Sequence, residues 1–295
     1  MAEAVLIARA GSRYGAGDLP KTAGMLASRG VRISQTHVVQ SREMLRNCVK
    51  AAKNSGAQII VVCGGDGSQS AAVDVIAYSE STLGIIPAGT GNSFAQSLRI
   101  GPSLENAVDV IAAGNVAQID LPCANGTYFA NFATVGLAAD IGIQTPRLLK
   151  RITGPLAYAL AGLAPVLFHK PFECEVKWNG KKSLRMMTDQ LIVGRFFGAA
   201  RIMSAVTPFD GRLAFFATHS AGTWNIVRGY LALLRGTERN LSDAHVFSAK
   251  KIKIRTDPPQ HVSLDGSEFA KTPVRFSVAR RALRVFVPRQ LQPQA

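Results

Sequence analysis

The sequence predicts an α/β N-terminal domain, a parallel sheet with helices on both faces, followed by a C-terminal antiparallel β-sandwich domain. Three observations predict it. The chain has 295 residues, more than one compact domain usually holds. Up to Asp120, short apolar runs alternate with helix-length amphipathic ones, the pattern of a covered parallel sheet. Beyond Asp120 the runs are short and strand-like. Turns such as Asn179-Gly180-Lys181, Asp210-Gly211-Arg212 and Asp257-Pro258-Pro259 separate them, which suits a sandwich.

In the first domain Ala4–Ala8 reads as a strand, Leu19–Arg29 as a helix and Val31–Thr36 as a strand. Arg42–Ser55 is an amphipathic helix, with Met44, Leu45, Cys48, Val49 and Ala52 on one face. Gln58–Cys63 is a strand buried on both faces. Ala71–Tyr78 reads as a helix, Leu83–Ile86 as a strand and Leu104–Ala113 as a helix. The domain boundary falls near Leu121. Beyond it, strands are expected at Thr127–Val135, Glu173–Trp178, Ser183–Val193, Arg212–Thr218, His245–Arg255 and Val274–Val278. Helices are expected at 147–167 and Trp224–Leu234.

Composition narrows the function. Apolar residues make up 47%, and Gly and Pro are dispersed, so the chain is neither collagenous nor disordered. The net charge of +15 predicts attraction to polyanions. Cys48, Cys63, Cys123 and Cys174 form no CxxC pair, which argues against a zinc site or disulfide framework and fits a reducing compartment. Met1–Ser12 lacks the basic and apolar regions of a signal peptide, and the longest apolar stretch, 154–168, is too short to span a bilayer.

The strongest local signal is Gly64-Gly65-Asp66-Gly67-Ser68, directly after a buried strand. Strand, glycines, then helix is an arrangement that presents backbone N–H groups to a phosphate. Asp66 is the unusual member, because a carboxylate beside a phosphate calls for a metal or for proton transfer. A tight turn with a helix-capping residue is the plainer alternative. The second signal, Pro87-Ala88-Gly89-Thr90-Gly91-Asn92-Ser93-Phe94, also follows a strand, so both loops belong to the carboxyl edge where such sheets bind ligands. Thr90 can donate to a phosphate, and Asn92 can bond a ribose or a backbone. The third signal is Ser263-Leu264-Asp265-Gly266-Ser267-Glu268; its plain alternative is a hairpin turn, since Asp-Gly favours type I′. No GxxxxGK[ST], no complete GxGxxG and no GxSxG occurs.

Taken in order, these segments resemble the diacylglycerol kinase catalytic-domain family, which includes bacterial YegS-like, sphingosine and ceramide kinases. Residues 61–70 look like its GGDGT loop and residues 83–98 like its PxGTGNDFA segment. Residues 118–141, 153–163, 207–216 and 263–269 resemble its later motifs. The resemblance implies a nucleotide-binding domain at 1–121, a lipid-substrate sandwich at 122–280, and a last strand at about 281–295 returning to the first domain.

It also implies ATP-dependent phosphorylation of a lipid hydroxyl with Mg2+. Carried over, Gly64, Gly65, Asp66, Gly67, Ser68, Gln69, Ser70, Gly89, Thr90, Gly91 and Asn92 hold the nucleotide, with Thr36 a further candidate. Asp66 aligns the γ-phosphate or the acceptor, and Asp265 or Glu268 accepts the hydroxyl proton. Asp210, helped by nearby carbonyls, falls where some members hold a structural metal. The partners expected are a lipid at an anionic membrane surface and no nucleic acid, and a homodimer is left open. The location expected is cytoplasmic, peripheral to the inner face of the membrane.

The chain departs from the family pattern at Ala71, Ser93 and Ser267, where acids are usual. The N-terminal NPxSG is Arg9-Ala10-Gly11-Ser12-Arg13, and the second domain's GGG is reduced to Phe197-Gly198-Ala199-Ala200. These departures leave open a non-catalytic binder, and the shared GGDG leaves open an NAD kinase-like enzyme. A one-residue bulge at Gly266-Ser267 would turn Glu268 toward the place of the missing acid. Arg147, Lys150 and Arg151, beside Leu148, Leu149 and Leu156, suggest a membrane-docking helix.

Overall fold

The computed structural model describes residues 3–144, 169–180, 182–197, 200–201, 206–220 and 222–291. The expected helix at 147–167, with its basic cluster, lies outside them.

Unit 1 comprises Met1–Leu121, Thr127–Ala130 and Ala279–Ala295. Its elements begin with β1 (Glu3–Arg9), α1 (Leu19–Ser28), β2 (Arg32–Val39), α2 (Arg42–Asn54) and β3 (Ile59–Gly64). They continue with α3 (Asp66–Ile76), β4 (Thr82–Pro87), α4 (Ser93–Ser97), α5 (Leu104–Ala112), β5 (Val116–Ala124) and β6 (Thr127–Tyr128). The parallel sheet runs β2-β1-β3-β4 and is completed by the end of the chain's last strand, which pairs parallel to β4 through Arg284↔Thr82 and Val285↔Leu83.

Local chemistry accounts for the helices. Ser41 caps α2, its hydroxyl accepting from Met44 N–H at 3.1 Å, and Ser103 caps α5 in the same way through Asn106 N–H. Leu45, Val49 and Ala52 form the buried face of α2, which packs on α3, while α1 packs on α5. All six residues of β3 and of β4 are buried, as central strands covered on both faces require.

Unit 2 comprises Pro122–Gly126 and Asn131–Val278. It contains β7 (Phe132–Gly136), α6 (Leu137–Gln144), β8 (Phe172–Trp178), β9 (Lys182–Thr188), β10 (Gln190–Gly194), β11 (Phe196–Phe197) and β12 (Ala200–Arg201). Then follow β13 (Leu213–Thr218), α7 (Thr223–Arg235), β14 (Ala244–Ala249), β15 (Lys251–Asp257), β16 (His261–Leu264), β17 (Ser267–Lys271) and β18 (Val274–Phe286). One antiparallel sheet runs β14-β13-β10-β7-β16-β17; the other joins β9, β8, β15 and the first half of β18. Trp178 stacks on Phe247 at 4.2 Å between ring centroids, and Phe247 on Phe215 at 4.5 Å, which fills the space between these sheets. On the outer face of the six-stranded sheet, Ile192, Ala214 and Phe216 pack with Leu233 of α7.

Several boundaries differ from the sequence reading. The run expected at 183–193 divides at Asp189 into β9 and β10, and the run at 245–255 divides at Lys250 into β14 and β15; in both cases the halves join different sheets. The run at 127–135 breaks into β6 and β7. Arg281, at φ 47°, interrupts a single long strand that reads in sequence as two pieces. No helix among the described residues is long and apolar enough to cross a membrane. The four cysteines are free thiols.

Candidate functional site

Unit 1 gathers two glycine loops at one edge of its sheet. β3 and β4 pair in register up to Gly64↔Pro87, so both loops leave the sheet at the same level. Ala88 N–H donates to Gly64 O at 3.1 Å. A Cβ on Gly89 would lie 2.5 Å from Gly65 Cα, so the loops touch backbone to backbone and neither position admits a side chain without a shift.

Helix α3 starts at Asp66, five residues before the expected Ala71. Its N-cap is Gly65, with no side-chain cap, so the first turn offers backbone N–H groups and the positive end of the helix dipole to an anion.

Asp66 does not cap its own helix. Its Oδ1 accepts from Phe94 N–H at 3.1 Å, in the first turn of α4, and so ties the first loop to the second. Its Oδ2 stands where a Cβ on Gly91 would come within 3.0 Å, so a side chain there would have to push that carboxylate aside by a few tenths of an ångström. The capping alternative and the phosphate-site reading therefore meet in one residue. Asn92 settles on the backbone: its Oδ1 accepts from Gly89 N–H and its Nδ2 donates to Gly89 O, both at 2.8 Å. It adopts the left-handed region at φ 52°, which asparagine tolerates. Gln96 completes the loop by donating to Gly91 O at 2.6 Å.

The remaining nucleotide candidates divide by depth. Gly65, Asp66 and Gly67 are half-buried, Gly89 is half-buried, and Thr90 and Gly91 are exposed at the loop tip. Ser68, Gln69 and Ser70 are buried beneath the turn. Gln69 donates to Val62 O at 2.9 Å and reaches Gly64 O at 3.4 Å, bracing the strand end. Ser68 stands where a Cβ on Gly64 would fall, 2.5 Å away. These three position the loop from below. Thr36 is not at this edge: it pairs with Leu6, which pairs with Val61, three residues short of Gly64.

The sequence reading missed the β1–α1 loop, although the Arg9–Arg13 segment marked it. Arg13 N–H donates to Ala88 O at 3.0 Å, and Ser12 Oγ to Arg9 O at 2.7 Å, so this loop is stitched to the glycine pair. It brings Arg9 and Arg13 to the same edge, where cations suit phosphates. Ala71 and Ser93 are buried, so the acids usual at those places have no substitute there.

In unit 2, Asp265 and Gly266 are the two central residues of the β16–β17 hairpin, at φ 48° and 73°, as a type I′ turn needs. The Asp265 carboxylate accepts from Asn131 N–H at 2.8 Å and from Phe132 N–H at 3.1 Å, both through Oδ1. The expected bulge at Gly266-Ser267 is absent. Leu264 pairs with Ser267 and Ser263 with Glu268, and the register shift comes only between Val262 and Ser263, leaving Phe269 as the extra residue. The two-residue turn closes the hairpin without strain, so nothing forces the slip forward. Glu268 is 61% exposed and 3.6 Å from His261 Nδ1.

Asp210 accepts from Thr207 N–H and Arg212 N–H, both at 2.9 Å, one on each oxygen. This is a turn brace. A hard cation wants six or more oxygens, and among the described residues no group of three His, Cys, Asp or Glu could hold a metal. Each Asp210 oxygen thus already carries one backbone N–H.

The fold and the paired glycine loops define a two-domain kinase architecture. The diacylglycerol kinase catalytic domain matches residues 4–124 and the YegS C-terminal NAD kinase β-sandwich-like domain matches residues 133–287. The chain belongs to the YegS-like lipid kinase family. It is 26% identical over 268 residues to a diacylglycerol kinase of Bacillus subtilis (strain 168), covering 88% of each chain. It is 24% identical to a diacylglycerol kinase of Staphylococcus saprophyticus, covering 79% of this chain and 78% of that one. A crystal structure assigned as a diacylglycerol kinase from Bacillus anthracis str. Sterne superposes with a TM-score of 0.81 at 22% identity, covering 98% of this chain and 96% of that one. Yeast NADH kinase with NADH shares the fold at a TM-score of 0.54 and 12% identity, covering 98% and 84%.

Proposed function

We propose that this kinase transfers the γ-phosphoryl group of ATP to the hydroxyl of diacylglycerol or a related lipid at an anionic membrane surface, a step in phospholipid synthesis. The observation that carries the reading is the Gly65/Gly89 contact, locked by the Asp66–Phe94 hydrogen bond. It builds a phosphate cradle from bare backbone. Relatives named diacylglycerol kinase over most of this chain's length support the lipid acceptor.

Phosphoryl transfer asks the protein mainly for positioning and for charge stabilisation. The first-turn N–H groups of α3 would hold the phosphate oxygens, with Arg9 and Arg13 adding positive charge. Thr90 at the loop tip would donate to the nucleotide. Mg2+ would arrive with the triphosphate, held by phosphates and water rather than by a protein cage. Asp66 would keep the two loops in register while its charge faces the transferring group. Asp265 would serve as the proton acceptor, and a positioned base typically supplies about 10²–10⁴ in rate.

One observation favours a second reading, a binder without turnover. Oδ1 of Asp265 is already bonded to two backbone N–H groups, which makes the carboxylate a weaker base, and Ala71, Ser93 and Ser267 supply no acid. Transfer of labelled phosphate from ATP to a panel of lipid alcohols in mixed micelles, with Mg2+ and with Mn2+, decides. Phosphorylated diacylglycerol or a sibling lipid is expected. Tight ATP binding with no labelled lipid would leave the binder standing.

A further inference from the structure

Helix α7 (Thr223–Arg235) is apolar on two sides. One side is spoken for: Ile226, Ala232 and Leu233 are buried, and Gly229 lies so close to Thr218 and Phe216 that a Cβ there would be 3.3 Å and 3.5 Å from them. The other side carries Trp224, Val227 and Leu231, exposed by 74%, 39% and 38%. They stand at i, i+3 and i+7, so at 3.6 residues per turn they form one stripe. Arg228 and Arg235 fall on the same side, within roughly 100° of arc with the three apolar residues. A solvated helix face would be polar there, and a helix this short gains nothing from a second apolar stripe unless something covers it.

Charge says what covers it. From Ser220 to Thr237 the sequence contains no acid, and the next one, Glu238, is buried. Arg228 is paired with Asp243 at 2.5 Å, while Arg235 and Arg239 are exposed. A second copy of this chain would bring another +15 against the face. An anionic bilayer is complementary in both respects: cations at headgroup level, and apolar side chains just below it. An exposed tryptophan opening the helix belongs at that same boundary.

We propose that the outer face of α7 docks on anionic membrane, with Trp224, Val227 and Leu231 entering the interface and Arg235 and Arg239 among the headgroups. The inference rests on the lipid-kinase reading for its purpose, but its deciding readout, vesicle binding, needs no turnover. In a Trp178→Phe background, Trp224 is the only tryptophan. Its fluorescence should be quenched by nitroxide-labelled lipid in vesicles of equal phosphatidylglycerol and phosphatidylcholine, and much less in pure phosphatidylcholine. The triple variant Trp224→Ser, Val227→Ser, Leu231→Ser should sediment with the anionic vesicles at least tenfold more weakly and still melt cooperatively, at a temperature lowered by no more than the loss of partly exposed side chains from a helix explains. Both variants should still phosphorylate a short-chain diacylglycerol below its micelle concentration.

A triple variant that binds anionic vesicles within twofold of the parent would overturn the docking face. So would a parent that ignores anionic vesicles, or a stripe whose removal only splits a dimer. Absence of lipid phosphorylation by the parent counts against the functional reading, while vesicle binding by the parent and triple variant separately decides the docking face.

Discussion

Gly89 and Gly65 stand so close that a Cβ on the first would sit 2.5 Å from the Cα of the second. Both atoms belong to backbone, so no side chain can rotate away to make room. Gly67, one residue into α3, has nothing within 4 Å of its hypothetical Cβ. Substitution at the two glycines therefore separates loop packing from ligand space.

Gly89→Ala should lower stability by about 1–3 kcal/mol, as overpacking does, and weaken ATP binding because the loops are pushed apart. Gly67→Ala should keep the melting temperature or raise it slightly, since alanine is the better helix former. If the space above Gly67 is where phosphates sit, Gly67→Ala should still weaken ATP binding at least tenfold. Calorimetric titration of ATP alongside thermal melts checks both; Gly67→Ala with parental affinity would move the phosphate site elsewhere.

Asp66 makes a second test possible. Its Oδ1 bonds to Phe94 N–H, and an asparagine in its place keeps that acceptor while removing the charge. Asp66→Asn should therefore melt with the parent and retain less than a third of its turnover. Asp66→Ala loses the acceptor as well and should cost about 1 kcal/mol, as a lost cap does. Equal losses of activity in both variants, with only Ala destabilised, would assign the charge a role in the reaction apart from loop geometry.

How much of the fold and site is legible in the sequence depends on the kind of signal each residue leaves. The glycine loops are legible because three residues without a Cβ, directly after a fully buried strand, mark a backbone that something approaches closely. The start of α3 is not: glycines argue against helix locally, and only the packing of Ser68 under Gly64 and of Gln69 beneath the strand end fixes the first turn there. Asp265-Gly266 reads correctly as a turn, yet the register slip at Phe269 lies in the pairing of β17 with β16, which alternation within one strand does not reveal. β5 escapes the sequence reading because Gln118 and Asp120 interrupt its apolar run. Asp120 is in fact buried, accepting from Arg281 N–H at 2.8 Å and lying 3.4 Å from Arg280 Nε. Asp66 stands out in the sequence as unusual, but its partner Phe94 lies 28 residues away and only the fold brings it near.

The thiols give a prediction in pH. Burial pushes the Cys63 and Cys174 thiols up to about 12, from an ordinary value near 9. Below about pH 9 both states hold the proton and stability is unaffected. Between 9 and 12 the unfolded chain loses protons that the folded one retains, so stability should fall as pH rises through that window. At pH 8, alkylation should label half-buried Cys48 first and reach Cys63 and Cys174 only on unfolding. Mass spectrometry of partially labelled protein reads this directly; early labelling of Cys63 would mean that its strand opens locally.

The hairpin acids allow the base to be identified. Glu268 is 61% exposed, faces the side of the sheet shared with Ser263, and lies 3.6 Å from His261. Glu268→Gln should change turnover less than threefold and leave the fold intact, as exposed substitutions usually do. Asp265 is different, because it holds a left-handed turn position and accepts two backbone N–H groups. Asp265→Ala removes both supports and should cost about 1–3 kcal/mol through the buried donors it strands. Asp265→Asn keeps an acceptor oxygen and creates Asn-Gly, the pair best suited to a type I′ turn. Its fold should survive, so its turnover isolates the charge. A fall of at least a hundredfold in labelled lipid, at parental melting temperature and ATP affinity, is expected if Asp265 takes the hydroxyl proton. Parental turnover in Asp265→Asn would leave this aspartate a brace for the strand end at Asn131 and Phe132, and the proton would have to leave by another route.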